Sequence, residues 1–301
     1  MEAMEIARGI EPDFPSSSGR PFREPDQELL ERRSDLAAAA RELDAAEALE
    51  LAARTWRLWM AARDIDGGRT FLAEVLDEHE AARSRWRALA LYGDGLFAFW
   101  VGAPDDARRR NEEAFQIARA LDDPEALLFA HLGLSRALLA AGEFAAAREH
   151  AAAAHALAEP FGEAMLQGPT HTQAQSARLS GDYDDAARLF EQSLALNQRL
   201  EAQGMVDVEH HNLGHVEIHR GNADAAARHF AQVPSSDDDF GRAMANLNEA
   251  SVAFLRGDVA NARTLLHAAQ QTFVGSAMEH AAVDDRFELE WLEEQLRCAE
   301  T

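Results

Sequence analysis

Five times along this chain a glycine is followed, five residues later, by an alanine, and each pair falls at a break between stretches of helical apolar spacing. The glycines are Gly102, Gly142, Gly181, Gly221 and Gly257, and the alanines Ala107, Ala147, Ala186, Ala226 and Ala262. The steps are 40, 39, 40 and 36 residues. Glycine enters a left-handed helix terminus without steric cost, and an Asp or Asn just beyond it can cap the next helix. Alanine one turn into that second helix lets two backbones approach closely. A weaker sixth unit lies upstream, with Arg63 in the glycine slot and Gly68 in the alanine slot, each 39 residues before its counterpart. The pattern predicts about six helical hairpins stacked in register, an all-α solenoid.

Composition agrees. The 301 residues include 62 Ala and 34 Leu but only 22 Val, Ile and Thr together, which disfavours a sheet and favours close-packed helices. Residues 1–25 carry Pro12, Pro15, Ser16 to Ser18, Gly19, Pro21 and Pro25, and are expected to form a flexible leader. Residues 26–276 hold the hairpins. Residues 277–301 are expected to form a capping helix and tail, centred on the acid-rich FELEWLEEQLR and facing solvent. No apolar run reaches the ~18 residues of a membrane span, and the first residues lack the pattern of a signal peptide. One cysteine, Cys298, rules out an internal disulfide and suits a reducing cytoplasm. A net charge of -24, with all 29 basic residues arginine, repels phosphate backbones and argues against autonomous nucleic-acid binding. The abundance of Ala and Arg without Lys suggests a GC-rich bacterial genome.

Asn212 to Phe230 (NLGHVEIHRGNADAAARHF) and Ala177 to Leu196 (ARLSGDYDDAARLFEQSLAL) resemble tetratricopeptide repeats, whose turn reads G-D-Y-x-x-A. The period of about 40 is longer than the usual 34. Such long repeats are similar to the helical sensor arms of ATP-dependent LuxR-type regulators, and Thr55 to Leu76 resembles the opening of those arms. The resemblance implies a right-handed α-solenoid that binds partners. The chain lacks the lysine that a phosphate loop requires and carries no recognisable DNA-binding domain, so it is expected to need no cofactor.

In repeats of this family, first-helix residues thirteen, ten, six and three before the turn glycine usually line the concave surface. Transferred here, the ten-before column contains Ala53, Tyr92, Leu132, His171, His211 and Leu247; the six-before column contains Arg57, Leu96, Arg136, Gln175, His215 and Ser251. Three before come Met60, Phe99, Leu139, Arg178, Ile218 and Phe254. The groove is thus expected to be aromatic and aliphatic in its N-terminal half and Gln/His/Arg-bearing in the middle. Arg57, Arg136 and Arg178 could clamp a carboxylate or other anion, or pair with acids from neighbouring helices. Acids on the outer faces suggest that an external partner presents basic residues.

Four histidines fall within ten residues, and His211, His215 and His219 share a helix face. They could hold a metal, and with His171 and Arg178 they could form an enzyme site. No complete metal, nucleophile or acid/base motif accompanies them, so a non-catalytic scaffold binding a peptide, partner protein or small anionic effector is favoured. Gly93-Asp-Gly95-Leu-Phe-Ala98 matches a dinucleotide fingerprint but lies inside a predicted helix, where Gly95 reads as a packing residue. Asp184, Asp185 and Asp237 to Asp239 read as caps and loop charges.

Overall fold

The computed structural model describes residues 2–10, 27–235, 238–273 and 283–299. Among these, all regular structure is helical, and no helix is long and apolar enough to cross a membrane. The chain divides into two compact units, Met1–Gln173 and Ala174–Thr301.

The first unit contains α1 (Glu2–Ile10), α2 (Gln27–Glu31), α3 (Arg33–Ala40), α4 (Ala45–Thr55), α5 (Arg57–Ala61), α6 (Ile65–Glu78), α7 (Arg85–Trp100), α8 (Pro104–Leu121), α9 (Pro124–Ala140) and α10 (Phe144–Ala158). Helix α11 (Glu163–Leu179) crosses into the second unit, which continues with α12 (Tyr183–Arg199), α13 (Gln203–His219), α14 (Ala223–Phe230), α15 (Asp239–Leu255), α16 (Val259–Phe273) and α17 (Val283–Cys298).

The hairpin turns are where the spacing puts them. At Gly102, Gly142, Gly181, Gly221 and Gly257 φ is +72°, +75°, +84°, +78° and +81°, and Arg63 in the weaker unit accepts +56°. Each turn closes with the same two backbone bonds. At Gly142 its own N–H reaches Leu139 O at 3.0 Å and the Glu143 N–H reaches Leu138 O at 2.9 Å; at Arg63 the corresponding bonds are 3.0 and 2.9 Å. Left-handed termination of this kind satisfies helix-end carbonyls that would otherwise lack partners. The five slot alanines are 0% exposed. At Gly68 a Cβ would lie 2.6 Å from Phe97 Cε2 and 2.9 Å from Trp59 Cβ, so this slot tolerates nothing larger than glycine without displacement.

Caps follow the same logic. Asp182 accepts from Asp185 N, Asp258 from Asn261 N and Asp238 from Gly241 N. Asp184 and Asp185 stand in the first turn of α12, where negative charge complements the helix dipole. Asp237 lies outside the described residues.

The core of the first unit is aromatic: Trp56 meets Tyr92 and Phe97 edge-on, with ring centroids 5.9 and 5.6 Å apart. In the second unit Phe190, Leu213 and Val216 form one apolar cluster, while Leu247, Leu266 and Leu292 belong to another.

Two expectations need correction. Residues 2–10 of the supposed flexible leader form α1, whose Met4, Ala7 and Ile10 are buried and whose Arg8 pairs with Glu50 of α4. Its apolar residues recur at three-residue spacing, a helical stripe that the prolines further on do not interrupt. The Pro- and Ser-rich remainder, residues 11–25, lies outside the described residues. The acids of α17 were expected to face solvent; instead Glu288 is 1% exposed. The described part of this helix begins at Val283, and residues 277–282 lie outside the described residues.

Candidate functional site

In the first unit the register brings Arg57, Tyr92 and Arg136 to one region. Arg136 Nη1 donates to the Tyr92 hydroxyl at 2.8 Å. The Arg57 guanidinium carbon lies 4.4 Å from the Trp56 ring centroid and 5.7 Å from that of Phe129. Such stacking orients a guanidinium and suits its weakly hydrated face. Arg57 and Tyr92 border a pocket of about 120 Å³ whose walls also include Trp86, Glu125, Phe129 and Met165, and Arg136 stands behind Tyr92 rather than in its lining. Tyr92 is 1% exposed, so its ring belongs to the core and only its hydroxyl serves the polar network. Phe99 is half-buried and packs against the cluster of Ala98, Ala107 and Ala137. His171 is half-buried on the first unit's part of α11.

In the second unit Gln175, Arg178, His211, His215 and His219 also converge, on carboxylates of the acid-rich helix α17. Arg178, 1% exposed, binds Glu288 through Nη1 and Asp284 through Nη2, the latter at 3.2 Å. Gln175 Nε2 donates to Asp284 at 3.2 Å. His219 Nε2 donates to Glu288 Oε2 at 2.9 Å, and His215 Nδ1 lies 3.3 Å from the same oxygen. Burial alone would raise the Glu288 pKa. His215 and the Arg178 guanidinium, with hydrogen bonds from His215 and His219, overcome that cost and hold it well below the usual carboxylate range.

One tautomer assignment satisfies the row behind Glu288. Asn248 Nδ2–H donates to His211 Nδ1 (3.4 Å), His211 Nε2–H to His215 Nε2 (3.2 Å), and His215 Nδ1–H faces Glu288. His211, accepting at Nδ1 and donating from Nε2, is then neutral. This agrees with His211, which burial, His215 and Arg178 push well below the ordinary histidine value. The ring nitrogens are therefore directed at one another and at Glu288 rather than at a shared point, and among the described residues no three His, Cys, Asp or Glu side chains are arranged to hold a metal. Beside them Tyr183 stacks on His219 (4.7 Å, 2°), Trp291 meets the same imidazole edge-on at 4.8 Å, and Phe254 meets Trp291.

Sequence reasoning missed Asp284, Asp285, Glu288 and Trp291 as site residues. The signal was present in their spacing, which puts Asp284, Glu288 and Trp291 on one helix face. The Gly93–Gly95 segment is structural. Asp94 is 2% exposed and pairs with Arg110 at 2.7 Å, and a Cβ on Gly95 would meet Asn111 Nδ2 at 2.3 Å.

Two histidine pairs occupy equivalent places in their hairpins: His131 with His150 (Nδ1 to Nδ1, 2.9 Å) and His210 with His229 (3.2 Å). One ring must donate and the other accept, so neither contact survives protonation of both. Burial, assisted by His150, pushes His131 down to about 4, and burial also lowers His150 and His229. A folded-state value below the unfolded one means that the unfolded chain binds protons first. The stabilisation is complete above the unfolded value of about 6.5 and is lost as pH falls from there towards 4. Thermal melts should accordingly drop by a few degrees between pH 7 and pH 5, less so in His131→Gln/His229→Gln; identical pH profiles for the two proteins would contradict this.

No family model and no curated protein matches the chain. Among solved structures, a Rap protein complexed with competence and sporulation factor aligns with a TM-score of 0.62 at 14% identity, covering 98% of this chain and 95% of that one. A tetratricopeptide repeat protein from Parabacteroides merdae ATCC 43184 aligns with a TM-score of 0.52 at 11% identity, over 100% of both chains. With its positive-φ turns, its close-approach alanines and these two likenesses, the chain has the tetratricopeptide-like helical-repeat fold.

Proposed function

We propose that this chain is a non-catalytic binding scaffold of bacterial signalling or regulation that grips a peptide segment of a partner protein on its first-helix faces. The observation that carries the reading is the first unit's pocket, lined by Arg57 over aromatic rings and by Tyr92, whose hydroxyl accepts from the buried Arg136 behind it. Guanidinium groups backed by Trp and Phe suit a carboxylate-bearing side chain flanked by apolar groups. The likeness to a Rap protein solved with competence and sporulation factor supports a regulatory role, as does the resemblance of Thr55 to Leu76 to the opening of LuxR-type sensor arms. A small anionic effector would use the same two arginines. An external partner meeting the acidic outer surface would present basic residues, and that contact would weaken as salt rises.

The test is capture from a fluorescein-labelled decapeptide library containing Asp or Glu between aliphatic residues. The best binder should lose about tenfold or more in affinity with Arg57→Ala or Arg136→Ala, the scale of one charge-assisted hydrogen bond. Unchanged affinity in both variants, with circular dichroism like that of the parent, would remove the pocket from the binding site.

A further inference from the structure

A helix that only capped the last hairpin would need to cover α15 and α16. Helix α17 does cover them: Leu289, Leu292 and Leu296 pack into the apolar cluster of Leu247 and Leu266, and Arg263 of α16 donates to Leu296 O. Its first turns, however, reach back to α11 and α13, more than a hundred residues earlier for Arg178. There three successive acids meet a prepared set of donors. Asp284 takes Gln175 and Arg178; Asp285 comes within 4.0 Å of His211; Glu288 takes Arg178, His215 and His219. One turn on, Trp291 fills the space beside His219.

The two halves of α17 are thus held by different physics. The apolar half is anchored by burial. The acidic half is held by ion pairs and hydrogen bonds whose desolvation offsets much of their attraction, so it confers specificity with little net stabilisation. A segment held in this way exchanges with a competitor that brings the same charges.

We infer that the donor set on α11 and α13 is a recognition site for an acidic amphipathic helix of a partner protein, and that the first turns of α17 occupy it as an internal competitor. The partner helix carries two adjacent acids, a third one turn later and an aromatic residue beyond it, the pattern of Asp284, Asp285, Glu288 and Trp291. This rests on the scaffold reading only in that first-helix faces bind ligand. It concerns different residues from the pocket of the first unit. Because α17 is covalently attached, it competes at an effective concentration on the order of millimolar, which keeps the site closed to weak ligands.

The probe is a synthetic peptide copying residues 283–299 with Cys298 replaced by serine, labelled with fluorescein at its N-terminus and followed by anisotropy against the full chain. In Asp284→Ala/Asp285→Ala the resident helix loses its outer two acids, both partly exposed, while Glu288 and the leucine anchor stay. This variant should bind the probe at least tenfold more tightly than the parent. Adding Gln175→Ala/His211→Ala should return the affinity to the parental level. Equal affinity of the first variant and the parent overturns the inference. So does a concentration-dependent dimer that excludes the probe, since the site would then take α17 from a second copy. Arg57→Ala, which tests the first unit's pocket, leaves probe binding unchanged, so the two readings fail separately.

Discussion

Glu288→Ala is expected to cost about 3–5 kcal/mol in chemical unfolding, the scale for stripping one partner from a buried ion pair. The loss exceeds that of the side chain's own contacts. Arg178, 1% exposed, would keep its charge with, among the described residues, the partly exposed Asp284 as its remaining ion-pair partner. His219 and His215 would lose the oxygen they share. Replacing both partners with apolar residues, Arg178→Met/Glu288→Leu, should recover most of that loss, because the desolvation of both charges disappears along with their attraction. A denaturant series on the two single variants and the double variant measures the coupling. A Glu288→Ala cost under 1 kcal/mol would show that the cluster is not desolvated as described.

Gly133→Ala is the second large effect, expected at about 1–3 kcal/mol from overpacking. Asn111 of α8 is 1% exposed, and its Nδ2 donates to Ala107 O at 2.7 Å, which fixes the amide between α7 and α9. A Cβ on Gly133 would lie 1.8 Å from Asn111 Oδ1. Relief requires either moving a helix or giving up that hydrogen bond. Asn111→Ala removes the obstacle, so Gly133→Ala should be nearly free in that background. Gly204 provides the contrast: nothing lies within 4 Å of the position its Cβ would take, and Ala there should stabilise by roughly 0.5–1 kcal/mol. If Gly133→Ala and Gly204→Ala behave alike in thermal melts, the wedge at Asn111 has no energetic role.

The hairpins were legible because what specifies them is local. A left-handed turn needs a residue tolerant of positive φ, and a close crossing needs a small side chain, so Gly181 with Ala186 declares both within one turn of chain. The weak unit could be found from the same register although Arg63 replaces glycine, and its φ of +56° shows that the register outweighed the residue preference. The packing role of Gly95 was likewise readable, since a glycine inside helical periodicity implies close approach.

The candidate site was half legible. Counting back from each glycine selected Gln175, Arg178, His211 and His215 because first-helix residues keep their face from one hairpin to the next, and the four-residue histidine spacing added His219. What answers them was invisible in that count. Asp284 and Glu288 stand 106 and 110 residues from Arg178, and no periodicity links a helix to a partner so distant in sequence. An acid-rich amphipathic helix at the edge of a highly acidic chain reads as solvated on composition alone; only the tertiary fold, by placing a buried guanidinium and two imidazoles against its first turns, converts those acids into buried partners. The same holds for α1, whose three apolar residues are too few to predict a docked helix until α4 supplies the surface that buries them. Local backbone chemistry thus determined the repeat and its faces, while long-range burial, which depends on the surfaces that neighbouring elements present, decided what those faces hold.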